Sequence, residues 1–370
     1  MTGFALYRLP HEQQVTLVAQ TEGEPQELLS CEALNGQTGF VVAPFSVCSQ
    51  TPVVLIRPDQ VKTYPSAEAC SLDIEKSDAF GLPVRRLRTL SPTPSDLSRT
   101  TYLADFNRFF EKLKNGDYQK LVLSRCAEEP VDEQTSPLEL FLRACQLYPR
   151  LFISLVYTPK SGLWLTATPE ILLEGIGNQW RTIALAGTIK LEGDELKGEG
   201  EHVKWSTKNI QEQRYVSTYL MGCLEQLAKD VREEGPRTVR AANLVHLRSD
   251  FTFSLSDNAH VGDVLQMLHP TPAVCGLPKQ AAYRFIQENE HTPRLYYSGF
   301  MGPLNLQLPT SKLQSQTHLF VSLRCMQITE NQYRLYAGGG LLKDSVEEME
   351  WQETEAKLET MRQCIATKKM

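Results

Sequence analysis

Apolar residues recur along this chain with the two periods of regular structure, and its most informative positions are those where a charge interrupts the period. From about Ser206 to Leu227, the residues Val216, Tyr219, Leu220, Cys223 and Leu227 return every three or four positions and make one helical face. Glu212 falls on that face, whereas Lys208, Gln211 and Gln213 fall off it. A final helix is predicted just after Ala337-Gly338-Gly339-Gly340, with Trp351, Leu358, Met361 and Ile365 on its apolar side. At roughly 100° per residue, Glu350, Glu353 and Lys357 lie within about 60° of one another beside that apolar side, so the carboxylates lean toward the interior or a cleft at its edge. Phe106, Phe109, Phe110 and Leu113 space a further helix that ends near Asn115-Gly116.

Extended runs account for most of the remainder. Residues 1–70 are strand-rich, with Gly39-Phe40-Val41-Val42-Ala43 and Val53-Val54-Leu55-Ile56 separated by polar turns. The charged stretch from Ser71 to Arg99, with Pro83, Pro92 and Pro94, is predicted to be a connector. Later strands are predicted over Lys120 to Arg125, Leu151 to Tyr157, Gly162 to Thr168, Arg181 to Ala186, His318 to Cys325 and Tyr333 to Ala337. Short turns between neighbouring strands imply α+β architecture, a large mixed or antiparallel β-sheet core covered by helices.

Composition narrows the partners. An apolar content of 41% and a charged content of 22% are those of a globular protein, and 370 residues suffice for one large domain or two ordinary ones. The formal charge of -6 argues against nucleic acid, although a small anion can still bind in a locally basic pocket. Nine cysteines without a CxxC pair indicate reduced thiols of a cytoplasmic protein. The opening Met1-Thr2-Gly3-Phe4-Ala5-Leu6 does not make an export signal, and no apolar run approaches the ~18 residues of a membrane span.

The misplaced charges carry the candidate chemistry. A carboxylate taken inside without a partner loses several kcal/mol of hydration or takes up a proton, so it requires a cation, a donor or a wet pocket. Glu212 on one helix and Glu350 and Glu353 on another point to a shared divalent ion; Arg or Lys partners, or simple hydration at a helix edge, would satisfy each helix read alone. Oxygen-only ligands suit Mg²⁺. Lys120 opens the apolar strand Lys120-Leu121-Val122-Leu123-Ser124-Arg125; either it escapes to solvent at the strand end, or a pocket holds it where burial favours a neutral, proton-accepting amine. Glu170 follows Thr168-Pro169, where proline turns the chain and can aim the carboxyl into a site as an acid.

Leu185-Ala186-Gly187-Thr188 is predicted to end a strand with backbone donors suited to a carboxylate. Gly338, Gly339 and Gly340 are predicted at a strand-to-loop exit, where unusual dihedrals and close approach by a ligand are tolerated. Arg324 lies in an apolar run and needs an anion, either a ligand carboxylate or an internal partner such as Glu353. His246 is either a satisfied core imidazole or a site residue; its spacing to His260 and His269 is not that of metal ligands.

Residues from about 100 to 366 resemble the chorismate-binding enzyme family, and within it the isochorismate synthases of menaquinone, siderophore and plant salicylate metabolism. The carrying stretches are Lys120-Leu-Val-Leu-Ser-Arg125, Thr168-Pro-Glu170, Leu185-Ala-Gly-Thr188, His269-Pro-Thr-Pro-Ala-Val-Cys-Gly-Leu-Pro278, Tyr297-Ser-Gly-Phe-Met-Gly302, Ser322-Leu-Arg324, Tyr336-Ala-Gly-Gly-Gly340 and Glu350-Trp-Gln-Glu353 through Lys357. The resemblance implies one domain over 1–370, with a variable portion at 1–100 and the catalytic core at 101–366. It implies that Lys120 activates water for attack at C2 of chorismate and that Glu170 protonates the departing C4 hydroxyl. Glu212 and Glu353 match the Mg²⁺ carboxylates, with Glu350 in support or as an additional ligand. Arg324, Tyr297 and the backbone around Gly338 and Gly339 match the receiver of the enolpyruvyl carboxylate; Gly187, Thr188, His246 and Lys357 match positions around the ring carboxylate and metal.

Lys120 distinguishes this chain from anthranilate synthases, which resemble it elsewhere but usually carry glutamine there and use ammonia. Salicylate synthases share the lysine and add pyruvate elimination, so they stay open as the alternative, with aminodeoxychorismate synthases further removed. Many relatives read Glu-His where this chain has Glu212-Gln213, and Asn209 stands at a position that is acidic in them. The resemblance further implies chorismate as the partner molecule, no amidotransferase subunit, and a monomer, with a homodimer as the alternative.

Overall fold

In the computed structural model, which describes residues 1–76, 99–132, 134–191, 203–241, 243–255, 260–309 and 314–366, the strand-forming runs pair into two nine-stranded sheets. The amino-terminal runs form β1 (Gly3–Arg8), β2 (Val15–Gln20), β3 (Gln26–Leu28), β4 (Gly39–Ala43), β5 (Val53–Ile56) and β6 (Gln60–Tyr64). Helices α1 (Ala67–Lys76) and α2 (Arg99–Lys114), strand β7 (Lys120–Pro130) and helix α3 (Pro137–Leu147) follow. Next come β8 (Phe152–Thr158), β9 (Gly162–Thr168), β10 (Ile171–Ile176), β11 (Gln179–Lys190) and α4 (Thr207–Leu227). The chain continues through β12 (Lys229–Ala241), β13 (Leu244–Ser254), α5 (Val261–Leu268), β14 (Gly276–Leu277), α6 (Lys279–Asn289) and β15 (Phe300–Leu304). It closes with β16 (Gln316–Val321), β17 (Cys325–Ile328), β18 (Gln332–Leu341) and α7 (Glu347–Ile365).

The first sheet has the order β14-β7-β18-β17-β9-β8-β1-β2-β6 and the second β12-β13-β11-β10-β16-β15-β4-β5-β3. Every strand pairing among the described residues is antiparallel. The amino-terminal strands therefore complete both sheets, three in each. Alternation along β8 shows how the layers form: Phe152 and Val156 join the core between the sheets, while Ile153 and Leu155 join the core under the outer helices. Across the central layer Phe152 stacks on Phe320, with ring centroids 4.2 Å apart. Helices α1, α3 and α7 cover the outer face of the first sheet, α4 and α5 that of the second, and α2 and α6 pack over the β7 end of the first.

Several boundaries differ from those predicted, each for a local reason. Ser71 to Lys76 belong to α1 instead of a connector, whereas residues 77–98, with Pro83, Pro92 and Pro94, lie outside the described residues. His318 to Cys325 is not one strand, because β16 ends in the second sheet and β17 begins in the first. Both segments are buried on both faces, so composition hides the crossing between them. β11 does not stop at Thr188; it bulges between Ala186 and Ile189, with Gly187 at φ 72°, and continues to Lys190. β18 runs through all three glycines, pairing Gly338 with Ser124 and Gly340 with Val122, and none of the three has positive φ. The expected strand exit and unusual dihedrals at the glycines are therefore corrected, and α7 begins at Glu347 instead of directly after them. No helix among the described residues is long and apolar enough to cross a membrane.

Candidate active site

Two crossings from one sheet to the other lie side by side, and the site opens between them. Pro169 and Glu170 carry the chain from β9 to β10, and Ser322 to Arg324 carry it from β16 to β17. The crossings are tied by backbone: Val321 N–H donates to the Glu170 carbonyl at 2.9 Å and Ala167 N–H to the Arg324 carbonyl at 3.1 Å. The cleft beside them, with about 620 Å³ of space including its open mouth, is lined by Glu170, Gly187, Thr188, Glu212, His246, Tyr297, Arg324, Gly338 and Lys357. Val122, Val274 and Tyr336 supply apolar walls. Of the remaining predicted residues, Lys120 stands behind Glu212, and Gly339 meets Glu350 and Glu353 at the α7 side.

Burial decides what each charged group needs. Lys120 has no solvent exposure, which removes the strand-end alternative. Its Nζ lies 3.0 Å from Glu212 Oε1, an ion pair at hydrogen-bonding distance but without hydrogen-bonding geometry. Burial would raise the Glu212 carboxyl, but the Lys120 and Lys208 ammoniums outweigh it and hold it below the usual range. Glu170 is buried without an ion-pair partner among the described residues, and burial pushes its carboxyl up to about 7 against the pull of Lys120, Lys357 and Arg324. One cleft therefore holds a carboxylate kept charged and a carboxyl kept protonated near neutrality.

Helix α7 delivers its acids as its periodicity predicts, and lysines are their partners. Glu350 is almost fully buried and pairs with Lys208 of α4, and burial followed by the charge of Glu353 raises its carboxyl to about 7. Glu353 pairs with Lys357 at 2.7 Å, and the same ammonium donates to the Gly338 carbonyl at 2.8 Å. Arg324 therefore has no internal carboxylate: none lies within ion-pair distance among the described residues, and Glu353 is held elsewhere. Its guanidinium contacts the Ala241 carbonyl at 3.4 Å and the His246 ring, and burial lowers it to about 10. A buried cation facing a cleft without a counter-ion is a receiver for an anionic ligand.

The glycines explain how these groups come so close. A Cβ at Gly340 would stand 2.1 Å from Glu212 Oε1, one at Gly338 2.7 Å from the Tyr297 hydroxyl, and one at Gly339 3.3 Å from Glu350 Oε2. Protein side chains crowd the bare strand, and Gly338 and Gly340 also line the cleft. Tyr297 is positioned by stacking on Tyr336, with centroids 5.4 Å apart and planes 17° from parallel. Sequence reasoning missed Lys208, which falls off the apolar face; its i,i+4 spacing to Glu212 was the available signal. It also placed Gln213 off the buried face, yet Gln213 is buried and donates to Ser249 Oγ at 2.8 Å.

The oxygen groups are of the chemical kind that a hard divalent cation takes. Glu350 Oε2 is buried without a hydrogen-bond partner, and Glu212, Glu350 and Glu353 converge on the glycine strand from two helices. Lysines pair with all three carboxylates, and no group of three His, Cys, Asp or Glu side chains among the described residues is gathered as a ready metal centre.

Comparison with known proteins places this arrangement. A family model described as "Chorismate binding enzyme" matches residues 74–366. Isochorismate synthase EntC of Escherichia coli strain K12 is 29% identical over 245 residues, covering 65% of this chain and 61% of that protein. The salicylate biosynthesis isochorismate synthase of Pseudomonas aeruginosa is 29% identical over 295 residues, covering 77% of this chain and 60% of that protein. The matches thus span about three-fifths of these relatives' lengths. The solved structure of MenF, the menaquinone-specific isochorismate synthase from Escherichia coli, superposes with a TM-score of 0.76 at 22% identity, covering 98% of this chain and 89% of that one. That likeness establishes the fold.

Two outcomes are expected. Between about 4.5 and about 7 the folded protein keeps a proton on Glu170 that the unfolded chain has released, so this residue's contribution to stability falls as pH rises through that window. Glu170→Gln is therefore expected to stabilise the protein above pH 7, by up to about 3 kcal/mol, and to have little effect near pH 4.5. Urea unfolding at both ends of the window checks this, and an equal effect at both ends contradicts it. Gly340→Ala is expected to fold with a loss of about 1–3 kcal/mol, because the added methyl displaces Glu212 and Lys120; unchanged stability in the same measurement would refute the close packing.

Proposed function

Since the chain belongs to the chorismate-binding enzyme family, we propose that it converts chorismate to isochorismate, the activity printed in the names of its relatives. One observation supports this most: a glutamic acid whose carboxyl is raised to about 7 and an arginine that lacks a counter-ion line one cleft, with a fully buried lysine directly behind the Glu212 carboxylate that faces it.

Arg324 grips the enolpyruvyl carboxylate with its free N–H groups, assisted by the Tyr297 hydroxyl. The Gly187–Thr188 bulge receives the ring carboxylate and thereby fixes the face of the ring presented to Lys120. A magnesium ion, when bound, supplies positive charge to the ring carboxylate; Glu212 and Glu353 would hold it, with Glu350 in support. Lys120, aimed by Glu212 and having first released its ammonium proton to solvent, takes a proton from water as that water's oxygen bonds to C2. The ring double bonds shift, the C4–O bond breaks, and Glu170 gives its proton to the departing hydroxyl, which leaves as water. One water enters and one leaves, so the step is an isomerisation without oxidation or reduction. Holding both carboxylates places the reacting carbons between base and acid, where orientation contributes much of the rate.

Incubation of the purified protein with chorismate and Mg²⁺, with products resolved by NMR, tests the proposal. Isochorismate is the expected product. Its absence overturns the proposal, salicylate with pyruvate selects the salicylate synthase alternative, and an ammonia-dependent aminated product selects an anthranilate or aminodeoxychorismate activity. Lys120→Ala and Glu170→Gln are each expected to lower kcat by at least about 100-fold with the fold retained. Because Glu170 acts in its protonated form, kcat is expected to fall as pH rises above about 7; a kcat that keeps rising through that range contradicts its role as the acid.

A further inference from the structure

Arg324 lies on the connection from β16 to β17 and the Gly187–Thr188 bulge within β11, yet one side chain touches both. His246 sits on β13 opposite the bulge, where the register skips from Ala186↔Leu247 to Ile189↔Val245 and leaves two residues facing one. Its Nδ1 is 2.9 Å from the Gly187 carbonyl and 3.3 Å from Thr188 Oγ1, and its Nε2 is bonded to Arg324 Nη2. A guanidinium has N–H donors and no acceptor, so Nε2 must carry the lone pair, and the ring proton resides on Nδ1, where Gly187 accepts it. Both nitrogens are thus committed to protein partners, and the ring is neutral. Burial, then the nearby Arg324 and Lys357 charges, act in the same direction.

The arginine end of this connection needs support. Arg324 holds φ 46°, a left-handed conformation that a residue with a side chain keeps where the surrounding structure enforces it, whereas Gly187 adopts φ 72° freely. His246 and Arg324 are each 5% exposed, so water is a poor substitute for either contact. The resemblance matches His246 to a position around the ring carboxylate and metal; its ring lines the cleft, and both of its nitrogens are taken by protein partners.

We propose that His246 is a positioning residue, a neutral strut that fixes the Arg324 guanidinium at a set distance from the Gly187–Thr188 bulge, so that the site selects ligands carrying two carboxylates at one spacing. The selectivity half of this inference rests on the chorismate proposal; the strut itself does not.

Three variants separate the possible roles. Glutamine places an acceptor oxygen where Nε2 stood, asparagine keeps a donor where Nδ1 stood, and leucine keeps only volume. In the chorismate assay, His246→Leu is expected to raise KM by about 10- to 100-fold with kcat changed less than about fivefold, because one hydrogen bond to a charged group is removed from the binding apparatus. His246→Gln is expected to recover most of the loss and His246→Asn little of it. In an Arg324→Gln background, His246→Leu should add almost nothing. A leucine variant equal to wild type, or a collapse of kcat at unchanged KM, would overturn the strut.

The tautomer can be read without substrate, by ¹⁵N NMR of the His246 ring in the ligand-free protein. A neutral ring protonated at Nδ1 is expected at neutral pH, and a proton on Nε2 overturns the inference. A wild-type protein that ignores chorismate yet shows this tautomer would overturn the substrate and the dicarboxylate selectivity, and leave the strut standing.

Discussion

A length of β-strand without side chains is the feature on which the rest of the site depends. Helix α4 brings Glu212 and helix α7 brings Glu350 and Glu353 to the same strip of β18, and Tyr297 meets it from the loop before β15. A methyl group on any of the three glycines would contact one of those side chains, most severely Glu212 at Gly340. Glycine in a strand interior costs roughly 0.5–1 kcal/mol relative to alanine. Since these positions have no positive φ, space is the only requirement that glycine meets here. The bare strip permits acids from helices covering different sheets to come together.

Charge is distributed over the cleft so that similar groups take different states. Glu212 and Glu170 are both buried carboxyl groups facing one space. Glu212 touches an ammonium, whereas Glu170 has only more distant cations, and the difference separates an anion from an acid. The three lysine-carboxylate pairs around the glycines are a weak source of stability, because desolvating two ions offsets much of their attraction. Apolar residues of similar volume would stabilise the same helix contacts at least as well. Ions retained in such a place are best explained by what they do to a ligand.

How much of this could be read from the sequence follows from what each pattern encodes. Helical period reports which way a residue points, so Glu212, Glu350 and Glu353 were visible as acids facing inward, with Lys357 beside them. Strand period fails where both faces are buried: the passage from β16 to β17 reads as one apolar run, although the chain changes sheets within it. That crossing sets the orientation of Arg324, so its need for an anion was visible while the choice between a ligand carboxylate and an internal one was not. Lys208 was lost because a long side chain in the first turn of a helix reaches beyond the face on which its Cα lies. The glycine run was visible as an unusual cost, but the helices that crowd it were not, since no local pattern states which distant helix will lean against a strand.

Arg324 shows how the fold converts buried charge into affinity. An unpaired guanidinium held away from water raises the free energy of the empty protein by several kcal/mol relative to a solvated one. Its backbone adds strain at φ 46°, and the hydrogen bonds across the two sheet crossings keep that conformation in place. A carboxylate entering the cleft removes the uncompensated charge, so much of its binding energy comes from relieving a cost already present in the free protein. An internal glutamate would have satisfied the arginine and left the site with little preference for anions. The pairing of Glu353 with Lys357, and of Arg324 with a neutral histidine, keeps that internal partner away.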